Sequence, residues 1–260
     1  MDYAQLIEKF RPYVVEQEIR QLDQSGGDSA QRAGHFWFLA KVAGIDGKII
    51  EQKLGITYEG SMKSHETAGG WLYRRTGQPG VWDNEPRNFT RDQWNGMQLA
   101  FAIHEDRPRL MKSMLGLIMR LGFHQNYHVG LTTPDMKPWQ IYKIPDLSHP
   151  SHISVFIRGM SAWFLKPLLQ VIDLTLIADV YARKNHIWDA DNMLMPHIIY
   201  ANLKYPTWAS RKALEMYKKT DAMDRIRYYH SIGKDPYDNQ MNGIGPMPEL
   251  FEAAFKKISK

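Results

Sequence analysis

Residues 90–121, TRDQWNGMQLAFAIHEDRPRLMKSMLGLIMRL, decide the fold. Apolar residues recur at helical spacing on both sides of His104, Glu105 and Asp106, which predicts two helices, Thr90 to His104 and Arg107 to Leu121. A connection this short forces them to be antiparallel neighbours. Thr90, Arg91, Asp92 and Gln93 read as a capping box, in which the Thr90 hydroxyl and the Gln93 side chain each bond an orphan backbone N–H.

Before this pair lies GWLYRRTGQPGVWDNEPRNFTRDQ, Gly70 to Gln93, broken by glycine and proline yet rich in Trp, Arg and carboxylates. Loops ordinarily carry small polar residues, so this composition points to packing or binding. After the pair comes a second long irregular segment, Gly122 to Pro150, with Phe123, His124, Gln125, Asn126, Tyr127, His128, Trp139, Tyr142 and His149.

The helical period extends through the rest of the chain. Tyr3, Leu6, Ile7, Phe10, Val14 and Ile19 form the stripe of a first helix, and Asp28 caps a second, Asp28 to Val42, with Ala33, Phe36, Trp37 and Ala40 inward. A short helix spans Lys48 to Leu54. Further helices are expected at Ser151 to Met160, Leu165 to Lys184, Asp189 to Leu203, Thr207 to Thr220 and Ala222 to Ile232. Pro246 and Pro248 open a last one through Ile258. Strand alternation is confined to Gln140 to Ile144.

The expected fold is all-α: one helical domain over residues 1–260, built from antiparallel hairpins, with 235–260 as a C-terminal loop and helix extension. Hairpins packed side by side put short turns at one end and long loops at the other. Three segments would then converge at the loop end: Ser25 to Arg32, Gly70 to Asp92, and Gly122 to Pro150.

Of the 260 residues, 43% are hydrophobic, enough for a sizeable core. The absence of cysteine excludes disulfides, thiolate metal sites and thiol catalysis. The amino terminus lacks the basic start and unbroken apolar core of a classical export signal; a cytoplasmic protein, or one released or virion-associated without a leader, is expected. The longest apolar stretch, Ala162 to Ala182, is interrupted by Lys166, Pro167, Gln170, Asp173 and Asp179, so it reads as a buried core helix and not a membrane span. Net charge is +5, and Lys204 to Lys234 carries this excess on two short helices without a nucleic-acid motif. That reads as a solvated face, with nucleic acid an unexpected partner.

The strings GDSAQRAGHFWF (Gly27 to Phe38), VWDNEPRNFTRDQ (Val81 to Gln93) and GFHQN (Gly122 to Asn126), in this order on hairpin-like helices, resemble six-hairpin or (α/α)-toroid carbohydrate-active proteins of bacteria and phages. The likeness covers about the first 160 residues. It implies a toroid, complete or incomplete, that acts on polysaccharides as a glycoside hydrolase or polysaccharide lyase in an aromatic-lined cleft at the loop end.

The residues themselves suit that chemistry. Sugars stack their C–H faces on aromatic rings and bond their hydroxyls to interleaved polar groups. Trp71, Tyr73, Trp82, Trp94, Tyr127 and Trp139 offer rings, and Arg32, Arg75, Arg91 and Gln125 offer donors. Plugs that only pack the loops would use the same aromatics. Hydrolysis needs two carboxyl groups. Asp28, Asp83, Glu85 and Asp92 are available; Asp28 and Asp92, at helix starts, suit the ionised base, and Glu85 suits the acid, although an Asp there also serves as a plain cap.

Elimination from a uronic-acid polymer instead needs a cationic or neutral group against the substrate carboxylate and a His or Tyr base. Asn126, Tyr127, His128, Tyr73, Arg74, Arg75 and Arg91 supply those types. His124, His128, His149 and His152 include metal-ligand types but lack HExxH spacing, so no metal or cofactor is expected. No nucleophile elbow, P-loop or dinucleotide fingerprint occurs. A polysaccharide-cleaving enzyme is the leading expectation, ahead of a non-enzymatic binding or virion-type structural protein and a polyanion-binding module; oligomeric state is left open.

Overall fold

A computed structural model of the chain describes residues 2–11, 29–66, 91–121, 124–128, 141–145, 151–183, 194–220, 224 and 247–259. The fold is all-α, as expected. Its helices are α1 (Tyr3–Glu8), α2 (Ser29–Ala43), α3 (Gly47–Leu54), α4 (Tyr58–Ser64), α5 (Arg91–Ile103) and α6 (Arg107–Leu121), then α7 (Ser151–Gly159), α8 (Lys166–Arg183), α9 (Met195–Leu203), α10 (Trp208–Lys218) and α11 (Met247–Ile258). Between α6 and α7 an antiparallel pair joins β1 (His124–His128) to β2 (Ile141–Pro145), in register from His124 opposite Pro145 to His128 opposite Ile141. The second strand falls on the alternating stretch near Gln140 to Ile144. The first was not anticipated, because His-Gln-Asn-Tyr-His carries no apolar alternation.

The pair predicted over 90–121 is α5 and α6, joined at His104 to Asp106. Helix α4 escaped the pattern because seven residues hold too little periodicity; it is set by Thr57, whose hydroxyl accepts from Gly60 N–H at 3.0 Å. The proposed Thr90 capping box includes residues outside those described. A capping box does form at Thr207 and Ser210, which opens α10.

Named contacts fix the helix directions. Along α2 and α5, Gly34 meets Gly96, and further on Trp37 meets His104. Along α5 and α7, Gln98 meets His152 and Ala102 meets Gly159. Along α7 and α9, His152 meets His197 and Arg158 meets the Lys204 carbonyl. Along α11 and α2, Phe251 meets His35 and Lys257 meets Gly44. Helices α2, α5, α7, α9 and α11 therefore run parallel, and α9 and α11 are also in contact. Glycine is required where α2 and α5 cross: a Cβ on Gly96 would stand 2.3 Å from the Gln31 carbonyl oxygen.

Of these helices, α2, α5 and α9 are buried on nearly all sides over 32–40, 94–102 and 194–201, so their sequences show little amphipathic contrast. The chain returns antiparallel through α6, α8 and α10, each of which keeps exposed residues on its outer side. Leu250, Phe251 and Ala254 of α11 join the same core as Phe36, Phe38 and Phe101.

Three of the returns use one backbone device. Gly44, Glu105 and Ser161 adopt left-handed φ of 80°, 57° and 59°. Their N–H groups bond Lys41, Ala102 and Arg158 carbonyls, while the next N–H groups, of Ile45, Asp106 and Ala162, bond Ala40, Phe101 and Ile157. These are Schellman endings on α2, α5 and α7. Tyr205, with φ of 53°, makes the corresponding bend after α9. All four short turns thus lie at the C-terminal end of the parallel set, here called the turn end; the opposite end, where those helices begin, is the head.

One expectation fails. The run Ala162 to Ala182 is not a buried core helix: Leu169, Ile172, Asp173, Leu176 and Val180 face inward, but Trp163, Phe164, Leu168, Val171, Leu174 and Tyr181 are exposed. Apolar residues occupy both faces of α8, so periodicity did not reveal the solvent side. Among the described residues no helix is long and apolar enough to cross a membrane.

Candidate functional site at the head of the parallel helices

Helices α2, α5, α7 and α9 bring buried polar side chains together on the head side: from the first turns of α2, α7 and α9, and from one turn further in at His35 and Gln98. Arg32 and His35 come from α2, Asn95 and Gln98 from α5, Ser151, His152 and Ser154 from α7, and His197 from α9. Burying such groups is costly unless they are bonded, so their concentration at one end of apolar helices calls for a cause.

Gln98 and His152 form the best-defined pair. His152 Nδ1 lies 2.8 Å from Gln98 Oε1, both buried. With an amide oxygen facing it, Nδ1 carries the ring proton and Nε2 becomes the basic nitrogen. The His197 ring stands edge-on to His152 with centroids 6.1 Å apart. Ser151, Ser154, Asp173, His197 and Tyr200 line an adjoining crevice.

Several atoms here have no hydrogen-bond partner among the described residues: His35 Nε2, Gln98 Nε2 and, one turn deeper, Tyr200 Oη. Burial pushes the His35 pKa down to about 3, so the ring is neutral at physiological pH. Burial likewise raises the Tyr200 phenol above its ordinary range. Trp37 Nε1, nearer the turn end, is also without a partner, and we have no physical account of it.

Among the residues predicted to form the site, Arg32 lies buried in the first turn of α2. Arg91 and Asp92 open α5. Gln125, Asn126, Tyr127 and His128 lie on β1, which starts just after α6 has returned to the head and which contacts α6. Trp94 is packed in the core, 5% exposed, and does not present an open ring. Asp28, Trp71, Tyr73, Arg74, Arg75, Trp82, Asp83, Glu85, Trp139 and His149 lie outside the described residues, as do Arg225, Arg227 and Lys234. Within the described part of that basic segment, Arg211, Lys212, Lys218 and Lys219 of α10 are exposed.

His35, Asn95, Gln98 and His197 were not singled out from sequence. The signal that could have found them is a lone polar residue inside an otherwise apolar helical run, as in AGHFWFLA and MPHIIYA. Among the described residues no group of three or more His, Asp or Glu could hold a metal ion. Compared with known proteins, the chain matches no protein-family model, no curated protein and no solved structure.

Proposed function

We propose that the chain is a polysaccharide-cleaving enzyme, toroid-like in its helical layering, with its substrate site at the head of the parallel helices. The observation that carries this reading is the gathering of buried Arg32, Gln98, His152 and His197 at the end where β1 and the start of α5 also lie. The substrate class comes from the resemblance of Gly27 to Phe38, Val81 to Gln93 and Gly122 to Asn126 to carbohydrate-active toroids.

Between the two chemistries, the described side chains favour elimination. Among the described buried polar groups Asp173 is the one carboxylate, and Arg158 neutralises it at 2.6 Å. The rest are imidazole, amide, hydroxyl and guanidinium groups, which suit removal of a proton beside a uronate carboxylate. His128 or His152 is the base, Arg75 or Arg91 offsets the carboxylate, Asn126 bonds it, and Trp71, Tyr73, Trp82, Tyr127 and Trp139 stack the sugar. Hydrolysis through Asp28 or Asp92 with Glu85 is the second reading.

A panel of neutral and uronic polysaccharides tests this. The expected result is new ultraviolet absorbance from an unsaturated uronate, together with new reducing ends. Reducing ends without that absorbance select hydrolysis, and no cleavage of any polymer overturns the enzyme reading in favour of a binding protein. Gln98→Leu removes the bond that sets the His152 tautomer, and should lower kcat about 100-fold, with a stability cost of about 1–3 kcal/mol for the buried Nδ1 that loses its acceptor. Asp92→Asn should matter far less than His128→Ala or His152→Ala.

A further inference from the structure

The strongest unassigned feature is the outer face of α8 and the turn that precedes it. Trp163 (67% exposed), Phe164, Leu168, Val171 (62%), Leu174, Ala178 and Tyr181 (68%) form a stripe without an interruption by charge. Spaced three or four residues apart, they follow one side of a helix about 27 Å long. Trp208, also exposed, joins its flank, because its N–H donates to Gln170 Oε1 at 3.0 Å.

The size of this face matters. Its large side chains present roughly 800 Å² of apolar surface, taking ordinary side-chain areas, more than a monomer's largest patch usually holds and close to one partner's share of a stable interface. A membrane surface would use the basic border that Lys166 and the exposed lysines and arginine of α10 provide, so lipid binding is one outcome of the test below.

We infer that this face is the dimer interface of the protein, formed by two copies of α8 packed antiparallel about a two-fold axis between Ile172 and Asp173. A neutral apolar face is complementary to itself, as an isologous contact requires. The antiparallel register sets Val171 against Leu174 at the centre, and brings Phe164 level with Tyr181 and Lys166 level with Asp179. Reversing the direction would set Lys166 against Lys166. Phe164, Leu168, Val171, Leu174, Ala178 and Tyr181 recur every three or four residues, so the two helices can seat along their length.

The inference is independent of the proposed enzymatic activity and is tested on the full chain. Sedimentation across the micromolar range should show a concentration-dependent dimer. Val171→Glu and Leu174→Glu, both at exposed positions, should each give a monomer with an unchanged circular dichroism spectrum. Since the chain has no cysteine, single cysteines report direction cleanly: oxidising a mixture of Phe164→Cys and Tyr181→Cys proteins should yield the mixed disulfide dimer, and neither protein alone should link. A wild-type chain that stays monomeric, with or without binding to lipid vesicles, overturns the inference. So does a dimer untouched by both glutamates, or cysteines that link only to their own kind.

Discussion

The two ends of the parallel helices handle buried polarity in opposite ways. At the turn end each buried charge is answered. Arg158 donates to Asp173 at 3.1 and 2.6 Å and to the Lys204 carbonyl at 2.7 Å, and Thr207 donates to the same carboxylate at 2.6 Å. Nearby, Arg109 is paired with Glu59, Glu66 and Asp106, which raises its pKa and lowers that of Glu59. At the head, His35 and Gln98 are buried with nitrogens that meet no acceptor among the described residues. An end whose buried charges are paired serves to hold hairpins together, whereas one with imidazole and amide nitrogens left unsatisfied keeps bonding capacity for something else.

The largest effect should come from breaking the saturated end. Asp173→Ala leaves the Arg158 guanidinium, fully buried, without its carboxylate, and should cost about 3–5 kcal/mol in urea unfolding. Replacing both partners, Arg158→Met with Asp173→Leu, should restore most of that stability, because what costs is the uncompensated charge and not the missing pair. If the single variant unfolds like the wild type, the turn end is not held by this network. A comparable head substitution, Gln98→Leu, removes one neutral hydrogen bond together with an unmet donor and should cost less than Asp173→Ala, so the stability contrast between the two variants is itself the measurement.

Acid should sharpen the comparison next. Burial lowers the pKa of His35 to about 3 and that of His104 to about 4. His104 retains a bond to the Trp37 carbonyl at 3.2 Å and feels the Asp106 carboxylate, which partly offset its burial. His35 has no such offset. Both pKa values are depressed, so the unfolded chain binds more protons below its own histidine pKa. Stability is therefore complete above about pH 6.5 and falls as pH drops toward the folded values. Between about pH 7 and about pH 5, His35 accounts for about 2 kcal/mol of that loss. His35→Leu should remove this share of the acid sensitivity in thermal melts at the two pH values; an unchanged slope would show that the ring is not buried neutral.

Much of this organisation was legible before any coordinates. The short link at His104 to Asp106 and the long links at 65–90 and 122–150 implied short turns gathered at one end, and Gly44, Glu105, Ser161 and Tyr205 do mark that end. Helix α8 misled because Val171 and Leu174 look no different from Leu169 and Leu176 in sequence, although one pair is exposed and the other buried. The head was legible only through its connections. Periodicity locates apolar stripes, and a histidine inside one, such as His35 or His197, looks like a blemish until its neighbours from other helices are known. Loop composition drew attention to Glu85 and Arg75, while the buried Gln98 and His152 pair needed contacts between two helices far apart in sequence.

The smallest expected effect tests whether the turn end owes its regularity to one backbone motif. The residue after each Schellman-ended helix must be left-handed, a conformation that costs an ordinary L-residue about 1 kcal/mol or more and glycine almost nothing. Only α2 has glycine there, Gly44; α5 and α7 place Glu105 and Ser161 in the same geometry. Ser161 has a compensating tie, since its hydroxyl accepts from Arg107 at 3.4 Å, so Glu105, an exposed residue, is the cleaner probe. Glycine also gains freedom in the unfolded chain, which removes part of the benefit. Glu105→Gly should therefore raise stability by about 0.5 kcal/mol, and Gly44→Ala should lower it by about 1 kcal/mol, read as shifts of opposite sign in melting temperature. If the two substitutions move stability the same way, the turns do not share a strain that glycine relieves, and their alignment at one end would have to come from helix packing alone.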